Sequence, residues 1–156
     1  MRNQSNRKYL VVASARIAAA PAQVYAIIAN YRQGHPRILP KEFSGLTVEQ
    51  GGIGAGTIIR FQMTVFGKTK HFRAAITEPD PGRVLVETNL EEAGAVSTFT
   101  VNPGQSPQDS EVTISTELVM KSGAHGAIER ILITWVLRGI YRRELELLAV
   151  TTRRGC

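Results

Sequence analysis

Few side chains in this 156-residue sequence have the types and spacing that chemistry requires. Tyr31 and His35 offer a phenol and an imidazole just after the first helical segment. Glu87 offers a carboxylate in a strand whose neighbours Leu85 and Val86 leave its direction open. Arg142 and Glu146 are spaced i, i+4 on the last helix, where opposite charges can pair. These five residues are the candidate polar anchors, and proton transfer would need one of them to be a buried acid or base. No nucleophile, base and orienting acid can be assembled from adjacent positions.

Other chemistries find less support. His35, His71 and His125 are far apart, none in an H-x-x-x-H spacing, and the only cysteine is Cys156. No metal site, internal disulfide or cofactor is therefore expected. His71 alternates with Phe72 and lies beside Arg73, on a strand face read as wet, so it is a surface residue rather than a base. The run Gly51-Gly52-Ile53-Gly54-Ala55-Gly56 has the glycines of a phosphate cradle. It lacks the Lys-Ser/Thr of a P-loop and precedes a strand, so it reads as a wide turn.

The formal net charge is +6, much of it from Arg2, Arg7, Lys8, Arg153 and Arg154 near the ends. Such tails give solubility and weak attraction to anionic surfaces, and with no RNA-binding aromatic motif or zinc finger, specific nucleic-acid binding is not expected. Hydrophobic content of 43% and charged content of 21% are those of a soluble protein, expected to be cytoplasmic and a monomer or homodimer. No apolar run reaches the roughly 18 residues of a membrane span. The opening run resembles a secretory signal, but Arg16 interrupts it and its alternation is that of a strand.

The elements that must position the candidates follow from periodicity. Tyr9, Val11, Ala13, Ala15 and Ile17 alternate as one strand face. Pro21 opens a helix with Val24, Ile27, Ile28 and Tyr31 on its apolar stripe, ending near Asn30. His35 to Pro40 holds at most one further helical turn. Strands are expected at 46–50, 57–66, 68–78, 83–90, 95–102 and 111–119, the second and third as a hairpin turning at Phe66-Gly67. A long helix over 127–153 closes the chain. Its first stripe is Ile128, Ile131, Leu132, Trp135, Val136 and Gly139; a second, Leu137, Tyr141, Leu145 and Leu148, lies on a rotated face. Gly139 within a helix points either to close packing or to room left beside it. Strands joined by hairpins, with helices kept apart, define an α+β domain spanning 1–156, with its core at about 8–153.

With these residues in this order, the chain resembles the SRPBCC superfamily (START-like, or birch-pollen-allergen-like), and within it the polyketide cyclase/dehydrase and lipid-transport group. The resemblance rests on four segments and the final helix: Ile17 to Tyr25 around Pro21, His35 to Pro40, Gly52 to Thr57, and Glu78 to Leu85. It implies a helix-grip fold in β-α-α-β6-α order, with a curved antiparallel sheet of about seven strands around the C-terminal helix. It also implies a cavity between them. The expected lining is Ile59, Phe61, Met63, Phe72, Ala74, Phe99, Ile114, Ile128, Leu132, Trp135 and Gly139. The function implied is binding or transport of a small hydrophobic molecule, such as a lipid, isoprenoid or polyketide. The alternatives are a cyclase or dehydratase acting in the same cavity and a partner-binding module.

Overall fold

The computed structural model describes residues 7–91 and 94–154; Arg2 and Cys156 lie outside them. Alternation does produce the first strand, β1 (Lys8–Ile17), with Tyr9, Val11, Ala13 and Ile17 buried and Leu10, Val12, Ser14 and Arg16 facing out. Pro21 opens α1 (Pro21–Ala29), where its missing N–H forfeits no helical bond. A 3-10 turn, His35–Arg37, follows. Then come β2 (Phe43–Gln50), β3 (Ile58–Val65), β4 (Lys68–Asp80), β5 (Val84–Asn89), β6 (Val96–Pro103) and β7 (Ser110–Val119), and finally α2 (Gly123–Arg154). β4 runs on through Pro79 to Asp80, two residues past the strand expected at 68–78, and α2 begins four residues early.

All neighbouring strands are antiparallel, in the order β1-β7-β6-β5-β4-β3-β2. Register sets what the inner face carries. One row is Ala13, Ile114, Phe99 and Leu85, all buried. The next row is Val11, Thr116, Ser97, Glu87 and Ile76, with polar side chains at its centre. Val24 and Ile28 of α1 and Ile140, Leu145 and Leu148 of α2 complete the core over these rows. Each such aliphatic side chain contributes roughly 1.5–3 kcal/mol through burial.

α2 corrects the reading of its two stripes. The second stripe is the buried one, with Tyr141, Leu145 and Leu148 in the core and Leu137 packed against it. Ile128, Ile131, Leu132 and Trp135 of the first stripe lie on the opposite, exposed side of the helix, while Val136 packs against the core. Both faces of the front half are apolar, so periodicity alone could not say which one meets the sheet.

The motifs quoted for the family resemblance turn out to be joints. Gly52 O accepts Tyr31 N–H at 2.8 Å, and Gly54 N–H donates to Ala29 O at 2.9 Å, tying the glycine turn to the end of α1. Glu78 receives Tyr25 O–H at 2.7 Å and Ala55 N–H at 2.8 Å, joining α1, that turn and β4. The facing Arg60 and Arg73 both hold Glu49, Arg73 at 2.9 Å, and His71 beside them is exposed as expected.

Candidate functional site

The turn after α1 is built to place two rings together. Asn30 Oδ1 accepts N–H groups of Arg32 and Gln33 at 3.1 Å each, while Asn30 O accepts those of Gly34 (2.9 Å) and His35 (2.7 Å). Gly34 lies so close to the Ile27 carbonyl that a Cβ there would collide with it. Locked in this way, Tyr31 and His35 stack with ring centroids 4.4 Å apart, and Phe99 meets the His35 ring edge-on at 5.6 Å. His35 Nδ1 lies 2.7 Å from Ile28 O. A carbonyl only accepts, so Nδ1 carries the proton and Nε2 faces Glu87 Oε1 at 3.7 Å.

Pairing with Ile76 and Ser97 turns Glu87 to the inner face, the direction its sequence neighbours left open. There it accepts the Tyr31 O–H at 2.6 Å. Three of the five expected anchors, Tyr31, His35 and Glu87, thus form one buried cluster. Sequence reading missed its fourth member. Glu144 projects from α2 into the same interior, only 3% exposed, and no hydrogen bond joins it to another described residue. Desolvation, with the Glu87 charge adding to it, holds the Glu144 carboxyl well above its usual range, which favours its neutral form. Burial, then the Glu87 charge and hydrogen bond, likewise raise Tyr31. Beside them the Tyr141 hydroxyl bonds Thr116, which lies 2.8 Å from Ser97, and burial pushes Tyr141 up to about 12. Among the described residues no three of His, Cys, Asp or Glu converge as a metal site would require.

A hollow open to solvent lies elsewhere. A groove of about 710 Å³ opens between α2 and the tip of the β3–β4 hairpin, bounded by Thr64, Val65, Phe66, Trp135, Gly139 and Arg142 among others. Of the expected apolar lining, only Trp135 and Gly139 border it. Gly139 leaves room: a Cβ there would meet nothing within 4 Å, so close packing is not its cause. Ile59, Ala74, Phe99 and Ile114 fill the core, whereas Phe61, Met63 and Phe72 are half-buried on the inner face. Phe43, Phe61 and Phe72 form a ring cluster, with Phe61 and Phe72 stacked at 5.2 Å. Ile128 (66% exposed), Leu132 (46%) and Trp135 (74%) face outward, because the opposite face of α2 is the one packed inward. Arg142 and Glu146 share that outer face and form no ion pair among the described residues, so they do not close a cavity; Arg143 instead bonds Glu42. None of the four cluster residues lines the groove.

A bent antiparallel sheet gripping one long helix, with a groove along that helix, defines the START-like, helix-grip class. The chain belongs to the polyketide cyclase / dehydrase and lipid transport family, whose family model matches residues 9–152. Among solved structures it is similar to the KanY protein, at 27% identity and a TM-score of 0.82, covering 94% of this chain and 99% of that one. It is also similar to TTHA0849 of Thermus thermophilus (19% identity, TM-score 0.79, 94% and 99% covered). A third is the Zhui aromatase/cyclase of a Streptomyces species (15% identity, TM-score 0.77, 95% of each chain). The last two likenesses concern the fold alone. No curated protein matches the chain.

Proposed function

We propose that this protein holds a small hydrophobic molecule, lipid-, isoprenoid- or polyketide-like, in the groove between α2 and the β3–β4 hairpin. The observation supporting this reading is the groove itself: about 710 Å³, within the roughly 300–1,000 Å³ of small-molecule sites. Val65, Phe66, Trp135 and Val136 supply apolar surface along it. Gly139 gives the cleanest test, since open space lies beside it. Gly139→Leu should keep the fold and reduce uptake of a fluorescent fatty probe at least fivefold. Unchanged uptake by a folded variant would remove the groove from the binding site. Native mass spectrometry of protein from its own host would then identify the natural ligand.

A second reading, a cyclase or dehydratase, draws on the Tyr31–His35–Glu87–Glu144 cluster, which juxtaposes proton acceptors with a neutral acid. In dehydration of a β-hydroxy ketone, Glu87 would take the proton α to the carbonyl. The C–O bond would break as C=C forms, and Glu144 would protonate the departing hydroxyl to water. This reading requires the groove to open inward past Gly139 and Ile140 when occupied. Incubation with a β-hydroxy ketone, followed by mass spectrometry, should show loss of one water that Glu87→Gln and Glu144→Gln abolish without changing probe uptake. If the wild-type protein removes no water, the binding reading stands alone.

A further inference from the structure

The outer face of α2 is the least explained surface of the molecule. Ile128, Ile131, Leu132 and Trp135 occur within two turns of one helix, and Ile131 is 71% exposed. Across the groove Phe66, 70% exposed, stands at the tip of the β3–β4 hairpin. Phe66 and Gly67 both have positive φ, 51° and 74°. That turn favours Asn-Gly, so an aromatic residue there runs against backbone preference. Cations ring these apolar side chains: Lys41, Arg138 and Arg142 border the groove, and Lys68 and Lys70 follow Phe66. All five are exposed and none forms an ion pair among the described residues. Of the acids on or beside this face, Glu42 is held by Arg143, Glu129 next to Ile128 is held by Lys121, and Glu146 stands one turn beyond Arg142.

We propose that this face is a docking surface for an anionic lipid bilayer, with the front half of α2 lying along the interface and Phe66 inserting beside it. A helix with Trp, Ile and Leu on one face and arginines at its margins suits the headgroup boundary, where apolar burial and attraction to anionic lipid act together. Charge selects the bilayer over a second copy of this chain: two such faces would bring ten unpaired cations together. The groove mouth then faces the membrane, but docking itself needs no ligand in the groove.

Trp135, the sole tryptophan, reports directly on the contact. Vesicles of phosphatidylserine and phosphatidylcholine, without other ligand, should shift its emission to the blue and sediment the protein, whereas phosphatidylcholine alone should bind at least tenfold more weakly. Ile131→Asp and Arg138→Glu/Arg142→Glu should each reduce binding roughly tenfold or more with helicity unchanged. Phe66→Asn, which suits the turn better, should weaken binding while raising or preserving thermal stability. Arg16→Glu, on the outer face of β1, serves as the charge control and should cost less than threefold. The proposal fails if Trp135 emission ignores anionic vesicles, or if Arg16→Glu weakens binding as much as the α2 reversals. It fails equally if Trp135 becomes buried in a dimer without lipid. Sedimentation, unlike Trp135 emission, does not respond to a lipid entering the groove, so Gly139→Leu should sediment with anionic vesicles as wild type does even where it loses probe uptake.

Discussion

Glu144 is the side chain whose setting departs furthest from its preference. Burial raises the Glu144 carboxyl well above its usual range, so it ionises at higher pH in the folded protein than in the unfolded chain, where it ionises near 4.5. The sign follows from proton counting. Above that value the unfolded state binds fewer protons than the folded state, so stability falls as pH rises, until Glu144 itself ionises. The loss is at most about 1.4 kcal/mol per pH unit for one group. Denaturant unfolding at pH 5, 6, 7 and 8 should show Glu144→Gln gaining on wild type as pH rises, and a constant difference would mean that Glu144 is not held neutral. The group was nearly legible in the sequence. It falls three residues after Tyr141 and four before Leu148, on the stripe that is buried. Glutamate on an apolar stripe breaks the pattern that periodicity looks for, so its position went unread. Glu87 differed only in that its side of the strand depended on pairing with Ile76 and Ser97, which no local pattern encodes.

At the scale of elements, strands and helices were legible because burial and alternation coincide in β1, β3 and β7 and because prolines and glycines mark the breaks. What pattern could not supply was orientation. The front half of α2 carries apolar residues on opposite sides, and choosing between them needs the partner surface. The turn between Asn30 and His35 shows the reverse case, in which a few residues determine geometry closely. Gly34 lies against the Ile27 carbonyl, and the backbone bonds around it set the Tyr31–His35 stack. Gly34→Ala should therefore cost about 1–3 kcal/mol by overpacking. It should also shift the His35 ring resonances as the stack with Tyr31 opens. Loss of stability with those resonances unmoved would show that the stack forms without this turn.

At the scale of the molecule, α2 separates two regions with different physics: a groove open to solvent on its outer flank and a polar cluster sealed beneath it. Gly139 and Glu144 are five residues apart, roughly 7 Å along the helix axis, and point to opposite flanks. Effects at residues so separated usually add within about 0.5 kcal/mol. Gly139→Leu alone should stabilise by up to about 1 kcal/mol, since glycine is a poor helix former and the added side chain enters open space. Combined with Glu144→Gln, the effects on unfolding free energy should add in the empty protein. The same cycle, repeated with a fatty probe bound and read as probe affinity, asks whether groove and cluster act as one site. Additivity there would keep the ligand on the outer flank and confine the protein to binding. Coupling of about 1 kcal/mol or more would mean that the bound molecule reaches between helix and sheet to Glu144, the arrangement that proton transfer requires.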